Sequence, residues 1–208
     1  MKITKPLNKI LDSEAKIEIL RFLCKTNAEW NGRQIAKEIE VTPATAHKAL
    51  SRLNNEGVLL LRNMGKTHVY SLNDDNFMVT DILKPLFEKE QKVLETIIKM
   101  IKSGISKSST ESSIVSVALF GSVNIKQDYA MSDIDVAVVV KSMKDKTKAE
   151  QLFEEIDYKI SKKFGNAVSA YINTVAEFKS KKKENLAVIK NILRERTLIY
   201  GEKIEVII

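Results

Sequence analysis

Apolar residues in the first third of the chain recur at helical spacing. Ile17, Leu20 and Cys24 stand at i, i+3 and i+7 with Leu23 beside them, which predicts an amphipathic helix that Ser13 can cap. "NGRQIAKEIE" follows, with Asn31 or Gly32 as a start signal and Ile35, Ala36 and Ile39 as its inward side. In "VTPATAHKALSRLNNEG", Thr42 takes the N-cap position and Pro43 the first turn, where its missing amide hydrogen does no harm. Ala46, Leu50 and Leu53 form the inward stripe of that third helix, and Gly57 suits its stop. Residues 58–62 and 67–72 then read as two strands joined by a turn through 63–66.

Helical spacing resumes at Val79, Ile82, Leu83, Leu86 and Phe87 and continues through Val93, Leu94, Ile97, Ile98 and Ile101, with Pro85 forcing a kink or the start of a second helix. This stripe serves either its own domain or a second copy of the chain, and a homodimer contact is expected along it. The run "KSGISKSSTESS", residues 102–113, is polar and serine-rich and reads as a linker. Beyond it the period changes. Residues 114–120 and 134–140 are short β-branched runs, "KAEQLFEEIDYKISKKFG" is helical by the spacing of Leu152, Phe153, Ile156 and Ile160, and residues 168–173 suit a third strand. "ENLAVIKNILRE" predicts a closing helix and "TLIYG" an extended end. Strands alternating with helices indicate a small α/β (α+β) domain with a mixed sheet. The expected layout is therefore 1–75, three helices and a hairpin; 76–112, a linker helix and hinge; and 113–208, the α/β domain.

Composition narrows the chemistry. The 34 basic residues exceed the 27 acidic ones, giving a net charge of +7 that favours polyanionic partners, although a solvated lysine-rich surface produces the same balance. Cys24 is the only cysteine, so the chain has no internal disulfide and no cysteine metal cluster, which suits a reducing cytoplasm. No segment approaches the roughly 20 apolar residues that span a bilayer, and no membrane association is expected.

The order of three helices and a hairpin is that of a winged helix-turn-helix. On the third helix the exposed positions are Thr42, Thr45, His47, Lys48, Ser51 and Arg52, and Arg62 and Lys66 carry positive charge on the wing. Hydroxyls can bond phosphates and the cations can neutralise them, so double-stranded DNA is the expected partner. Over about its first 75 residues the chain resembles winged-helix transcriptional regulators of the ArsR and MarR-like type.

The strongest local signal is "ALFGSVNIKQDYAMSDIDVAVVV", in which an apolar run breaks at Gly121-Ser122 and resumes around Asp133 and Asp135. Residues two apart on a strand share a face, so the two carboxylates repel unless a cation lies between them, and hard oxygen ligands suit Mg²⁺ that also bridges phosphates. A Gly-Ser turn after a strand offers close backbone approach, exposed amides and the Ser122 hydroxyl to a phosphate. Each half alone is an ordinary turn or strand end. Together, with Ser132 completing "SDID", they resemble the nucleotidyltransferase fold shared by DNA polymerase beta and the minimal nucleotidyltransferases, from about Ser113 onward.

That resemblance implies transfer of a nucleoside monophosphate from an NTP to an acceptor hydroxyl. Asp133 and Asp135 would be the catalytic, Mg²⁺-holding pair, Gly121 and Ser122 would hold the nucleotide's outer phosphates, and Lys126 reads as a surface lysine that could also reach a phosphate. It also implies a third carboxylate from a later strand, yet "NAVSAYIN" carries no acid; Glu177 lies just beyond it and Asp128 in the preceding loop. Ile125-Lys126 replace the Arg-Gly pair that often follows the turn. Two functions follow: a DNA-binding regulator that binds NTP and Mg²⁺ without turnover, or an active nucleotidyltransferase modifying a protein hydroxyl, as in antitoxins paired with HEPN toxins, which would add a toxin-type partner. Modification of a small molecule such as an aminoglycoside fits the DNA-binding segment less well.

Overall fold

A computed structural model of the chain describes residues 3–65, 67–130 and 132–207. Two compact units divide the chain, Met1–Val93 and Leu94–Ile208.

The first unit opens with α1 (Leu7–Ile10) and α2 (Glu14–Thr26), followed by β1 (Trp30–Asn31), α3 (Gly32–Glu38) and α4 (Pro43–Asn55). A hairpin of β2 (Leu59–Met64) and β3 (Thr67–Leu72) comes next, then a π-helical turn at Met78–Leu83 and α5 (Lys84–Gln91). The strands form one antiparallel sheet in the order β1-β3-β2, with Trp30 and Leu61 both opposite Tyr70. The helices α2, α3 and α4 feeding a hairpin whose strand β3 is also paired by the short strand β1 between α2 and α3 make a winged helix. Local chemistry explains the boundaries. Asn31 and Gln34 form a reciprocal capping box at the start of α3, and Thr42 accepts the Thr45 backbone N–H at the start of α4. Ser13 sits in extended conformation ahead of α2 but makes no capping bond with its side chain.

The inward face of α2 is rotated from the expected one. Ile19, Leu20 and Leu23 are buried, whereas Ile17 and Cys24 lie at the margin. Lys16 occupies the displaced position, almost wholly buried, because its ammonium pairs with Asp12 at 2.9 Å and donates to the Lys9 carbonyl at 2.5 Å. The hydrogen bond from Lys16 holds the Asp12 carboxyl below its ordinary range. Pro85 begins α5 rather than kinking it, in the first turn where it is tolerated.

In the second unit α6 (Val93–Ser106) leads into β4 (Ile114–Leu119), a single turn α7 (Gly121–Asn124), β5 (Ile134–Val140), α8 (Met143–Phe164) and β6 (Val168–Thr174). α9 (Val175–Lys183), α10 (Ala187–Arg194), β7 (Thr197–Gly201) and α11 (Ile204–Ile207) complete it. The sheet order is β6-β5-β4-β7, with β5 and β6 parallel and the other pairs antiparallel, the mixed sheet expected from the sequence. Side chains alternate along β5. Ile134, Val136, Val138 and Val140 pack with Ile101 and Ile105 of α6 and Phe153, Ile156 and Ile160 of α8, while Ala137 and Val139 pack with Phe178, Ile189, Ile192 and Ile204 on the other face.

Residues 102–106 of the expected linker belong to a helix instead. α6 runs to Ser106, and Ile105 has no exposed surface. Lys102 and Ser103 stand between the buried Ile101 and Ile105, so one helical face is buried while the sequence reads as hydrophilic. The unit boundary falls at Val93/Leu94 instead. The apolar stripe expected to meet a second copy is divided between the two cores, with Val79, Leu83 and Phe87 in the first and Ile97, Ile101 and Ile105 in the second. Phe77, Leu86 and Val93 remain exposed. Among the described residues, no helix is long and apolar enough to cross a membrane.

Candidate nucleotide and nucleic-acid sites

The break in the apolar run is a tight change of direction at the end of β4. Phe120 is still extended and donates its backbone N–H to the Asp135 carbonyl at 3.0 Å, and Gly121 then turns with φ of +76° into the single turn of α7. A Cβ at Gly121 would stand 2.2 Å from Asp135 Oδ2. The position therefore excludes a side chain twice over, by its left-handed backbone and by the carboxylate lying against it. Ser122 follows, partly exposed, and its carbonyl accepts the Gln127 N–H at 2.9 Å. Sequence positions fourteen apart are thus in contact, as the paired motifs required.

Asp135 is the second residue of β5, and Asp133 stands exposed one residue ahead of that strand. Asp135 titrates above its ordinary range, first because burial penalises its charge and second because Asp133 repels it. A cation beside both carboxylates would relieve that cost, so the pair fits Mg²⁺, an ion that keeps several waters and completes its shell with substrate oxygens. Among the described residues no group of three or more His, Cys, Asp and Glu side chains could hold a metal by itself. The approach to the pair is fixed by Ser132: its hydroxyl accepts the Tyr129 N–H at 2.8 Å, and its carbonyl accepts from Asn166 Nδ2 at 3.0 Å. Lys126, in the intervening loop, is exposed with φ of +58°, and Asp128 is exposed.

No acid stands beside the pair on β6. Ser169 lies opposite Asp135, and Tyr171 and Asn173 follow on the same face. The Lys181 ammonium sits 5.0 Å from the centre of the Tyr171 ring and donates to Asn173 Oδ1 at 2.5 Å, so a cation occupies this side of the sheet. Glu177 serves another purpose. It completes the cap of α9, accepting the Thr174 N–H at 2.8 Å and the Lys146 ammonium at 3.0 Å, and those partners hold it below the ordinary carboxyl range.

In the first unit Thr42, Thr45, His47, Lys48, Ser51 and Arg52 all lie on the exposed side of α4, opposite buried Ala46, Leu50 and Leu53. The Thr42 and Thr45 hydroxyls are engaged with each other at 2.9 Å. Arg62 is exposed on the wing but ion-paired with Glu29, which offsets its charge. Lys66 lies outside the described residues. Residues that pattern reading passed over, Arg33, Thr67, His68 and Tyr70, join His47 around one recess between α3, α4 and β3. They come from three segments, so no local spacing marks them.

Residues 101–205 match the family described as Polymerase beta, Nucleotidyltransferase. No curated protein matches the chain. Among solved structures, reduced HlyU from Vibrio cholerae N16961 is 20% identical, covers 40% of this chain and 83% of its own, and has a TM-score of 0.36. The transcriptional repressor BigR from Xylella fastidiosa is 18% identical over 40% of this chain and 81% of its own, with a TM-score of 0.35. A homodimeric winged helix-turn-helix DNA-binding domain from Mycobacterium bovis is 22% identical over 43% of this chain and 76% of its own, with a TM-score of 0.33. Element order and strand pairing, rather than these likenesses, mark the first unit as a winged helix.

Proposed function

Because the chain belongs to the polymerase beta nucleotidyltransferase family, we propose that its second unit binds an NTP with Mg²⁺ while its winged-helix unit binds double-stranded DNA, the whole acting as a nucleotide-responsive transcriptional regulator. The observation that carries the reading is the contact of Gly121 with Asp135, which sets a side-chain-free turn against a partly buried carboxylate. Amides near Gly121 and the Ser122 hydroxyl hold the outer phosphates. Asp133 and Asp135 hold Mg²⁺, which when bound neutralises phosphate charge. Turnover is not part of the proposal, since Ser169 stands beside the pair and Glu177 is committed to a helix cap. DNA contact falls to Lys48, Ser51 and Arg52 of α4, with His47 beside them. A homodimer, formed through exposed Phe77, Leu86 or Val93, would present two such helices to successive half-sites.

Calorimetry of the full chain with each NTP, with and without Mg²⁺, tests the nucleotide half. Binding that needs Mg²⁺ and disappears in Asp133→Asn/Asp135→Asn supports it; no heat with any NTP sinks it. Released pyrophosphate, or label transferred to a protein, that vanishes in the same variant would replace the binding reading with the catalytic one. For the DNA half, duplex affinity should fall steeply with salt, and Arg52→Ala should reduce the slope of log K against log salt by about one.

A further inference from the structure

Both histidines of the chain line the same recess, and they reach it from different elements. It has a volume of about 450 Å³, with His47 on α4, Thr67, His68 and Tyr70 on β3, and Arg33 from the start of α3 around it and Leu50 at its base. Among the described residues, the titratable and charged groups facing it are thus one guanidinium, two imidazoles and one phenol, with no carboxylate. Tyr70 is held neutral by burial, which pushes its hydroxyl above the ordinary range. A recess whose ionisable lining can only be positive or neutral at neutral pH suits an anion.

The tautomer of one histidine adds a condition. His68 Nδ1 lies 2.7 Å from Asn63 Oδ1, and an amide oxygen only accepts, so Nδ1 carries the proton. Neutral His68 is left with a lone pair on Nε2. A phosphodiester oxygen is also only an acceptor, so it gains no bond from that nitrogen until the ring is protonated. The groove between the recognition helix and the wing is therefore built to hold a phosphate more tightly when its imidazoles are charged.

We propose that this recess seats a phosphodiester of the DNA backbone, bonded by Arg33, Thr67, His47 and His68, and that protonation of the two imidazoles makes duplex binding pH-dependent. The proposal rests on the DNA-binding reading above and adds to it a site, its ligand and a direction. Affinity rises as pH falls and the imidazoles gain protons. The change between pH 8 and pH 6 is on the order of tenfold, the size expected when charge-assisted bonds to one phosphate are gained.

The test is fluorescence anisotropy of the full chain on a mixed-sequence duplex of about 30 base pairs at low salt, titrated at several pH values. The chain has only two histidines, so His47→Gln/His68→Gln removes every imidazole. Support is a wild-type affinity that rises toward pH 6, a flat profile in the double variant and an intermediate one in His68→Gln. Lys48→Ala should weaken binding by the same factor at every pH. A wild-type profile that is flat, or a double variant that keeps the rise, overturns the seat and leaves DNA binding intact. Absence of duplex binding at any pH overturns both. Displacement of the duplex by inorganic phosphate beyond the effect of chloride at equal ionic strength would assign the recess to a free phosphate and overturn the DNA assignment.

Discussion

Gly121 concentrates what the candidate nucleotide site demands of a single residue. Its φ of +76° lies where a side chain is disfavoured, and the space a Cβ would fill is held by Asp135 Oδ2. The Gly121→Ala substitution should cost about 2 kcal/mol or more of the second unit's stability, from backbone strain together with the displaced carboxylate. It should also abolish the Mg²⁺-dependent NTP binding proposed for this site, because Asp135 can no longer lie against the turn. A variant with wild-type melting and wild-type calorimetry would show that the contact positions nothing. Glu177 gives the opposite lesson: a carboxylate close in sequence to the expected third acid is drawn off by the Thr174 N–H and Lys146.

α6 shows how an element can be misread from polarity. Lys102, Ser103, Lys107 and Ser108 make residues 102–113 hydrophilic on average, yet Ile101 and Ile105 complete a stripe begun at Ile97 and enter the core beneath β5. Close packing follows, for a Cβ at Gly104 would meet the Ile156 side chain of α8 at 2.8 Å. Ile105→Ala should destabilise the second unit by about 2–5 kcal/mol, the range for removing most of a fully buried aliphatic side chain. Chemical denaturation followed by circular dichroism checks this, and a loss under about 0.5 kcal/mol, normal for a surface position, would restore the linker interpretation.

For the chain as a whole, the consequence is where it can be divided. The first unit keeps its core through Phe87, and the second draws on Ile97, Ile101 and Ile105 from its first helix. A fragment of residues 92–208 should fold and melt cooperatively. One that begins at Ser113 lacks three buried isoleucines and should expose its sheet face, unfolding or aggregating when expressed alone. If both fragments melt alike, the helix is dispensable and the boundary lies later than Leu94.

Much of this was present in linear order. Thr42-Pro43 and Asn31 mark helix starts through bonds made within three or four residues, β5 was readable from its β-branched run to its last residue, and the Gly-Ser and Asp-x-Asp motifs announced themselves because their chemistry depends on short spacings. The family-level character of the second unit rests on those motifs. What no local pattern carries is contact between distant segments. The pairing of β7 with β4 joins residues some eighty apart, and the fate of α6 depends on strands later in the chain. The recess with both histidines belongs to the same class: α3, α4 and β3 each supply one side, and only their packing brings Arg33, His47 and His68 around one recess. Spacing specifies which groups a segment can offer, and burial and long-range register determine which of them meet.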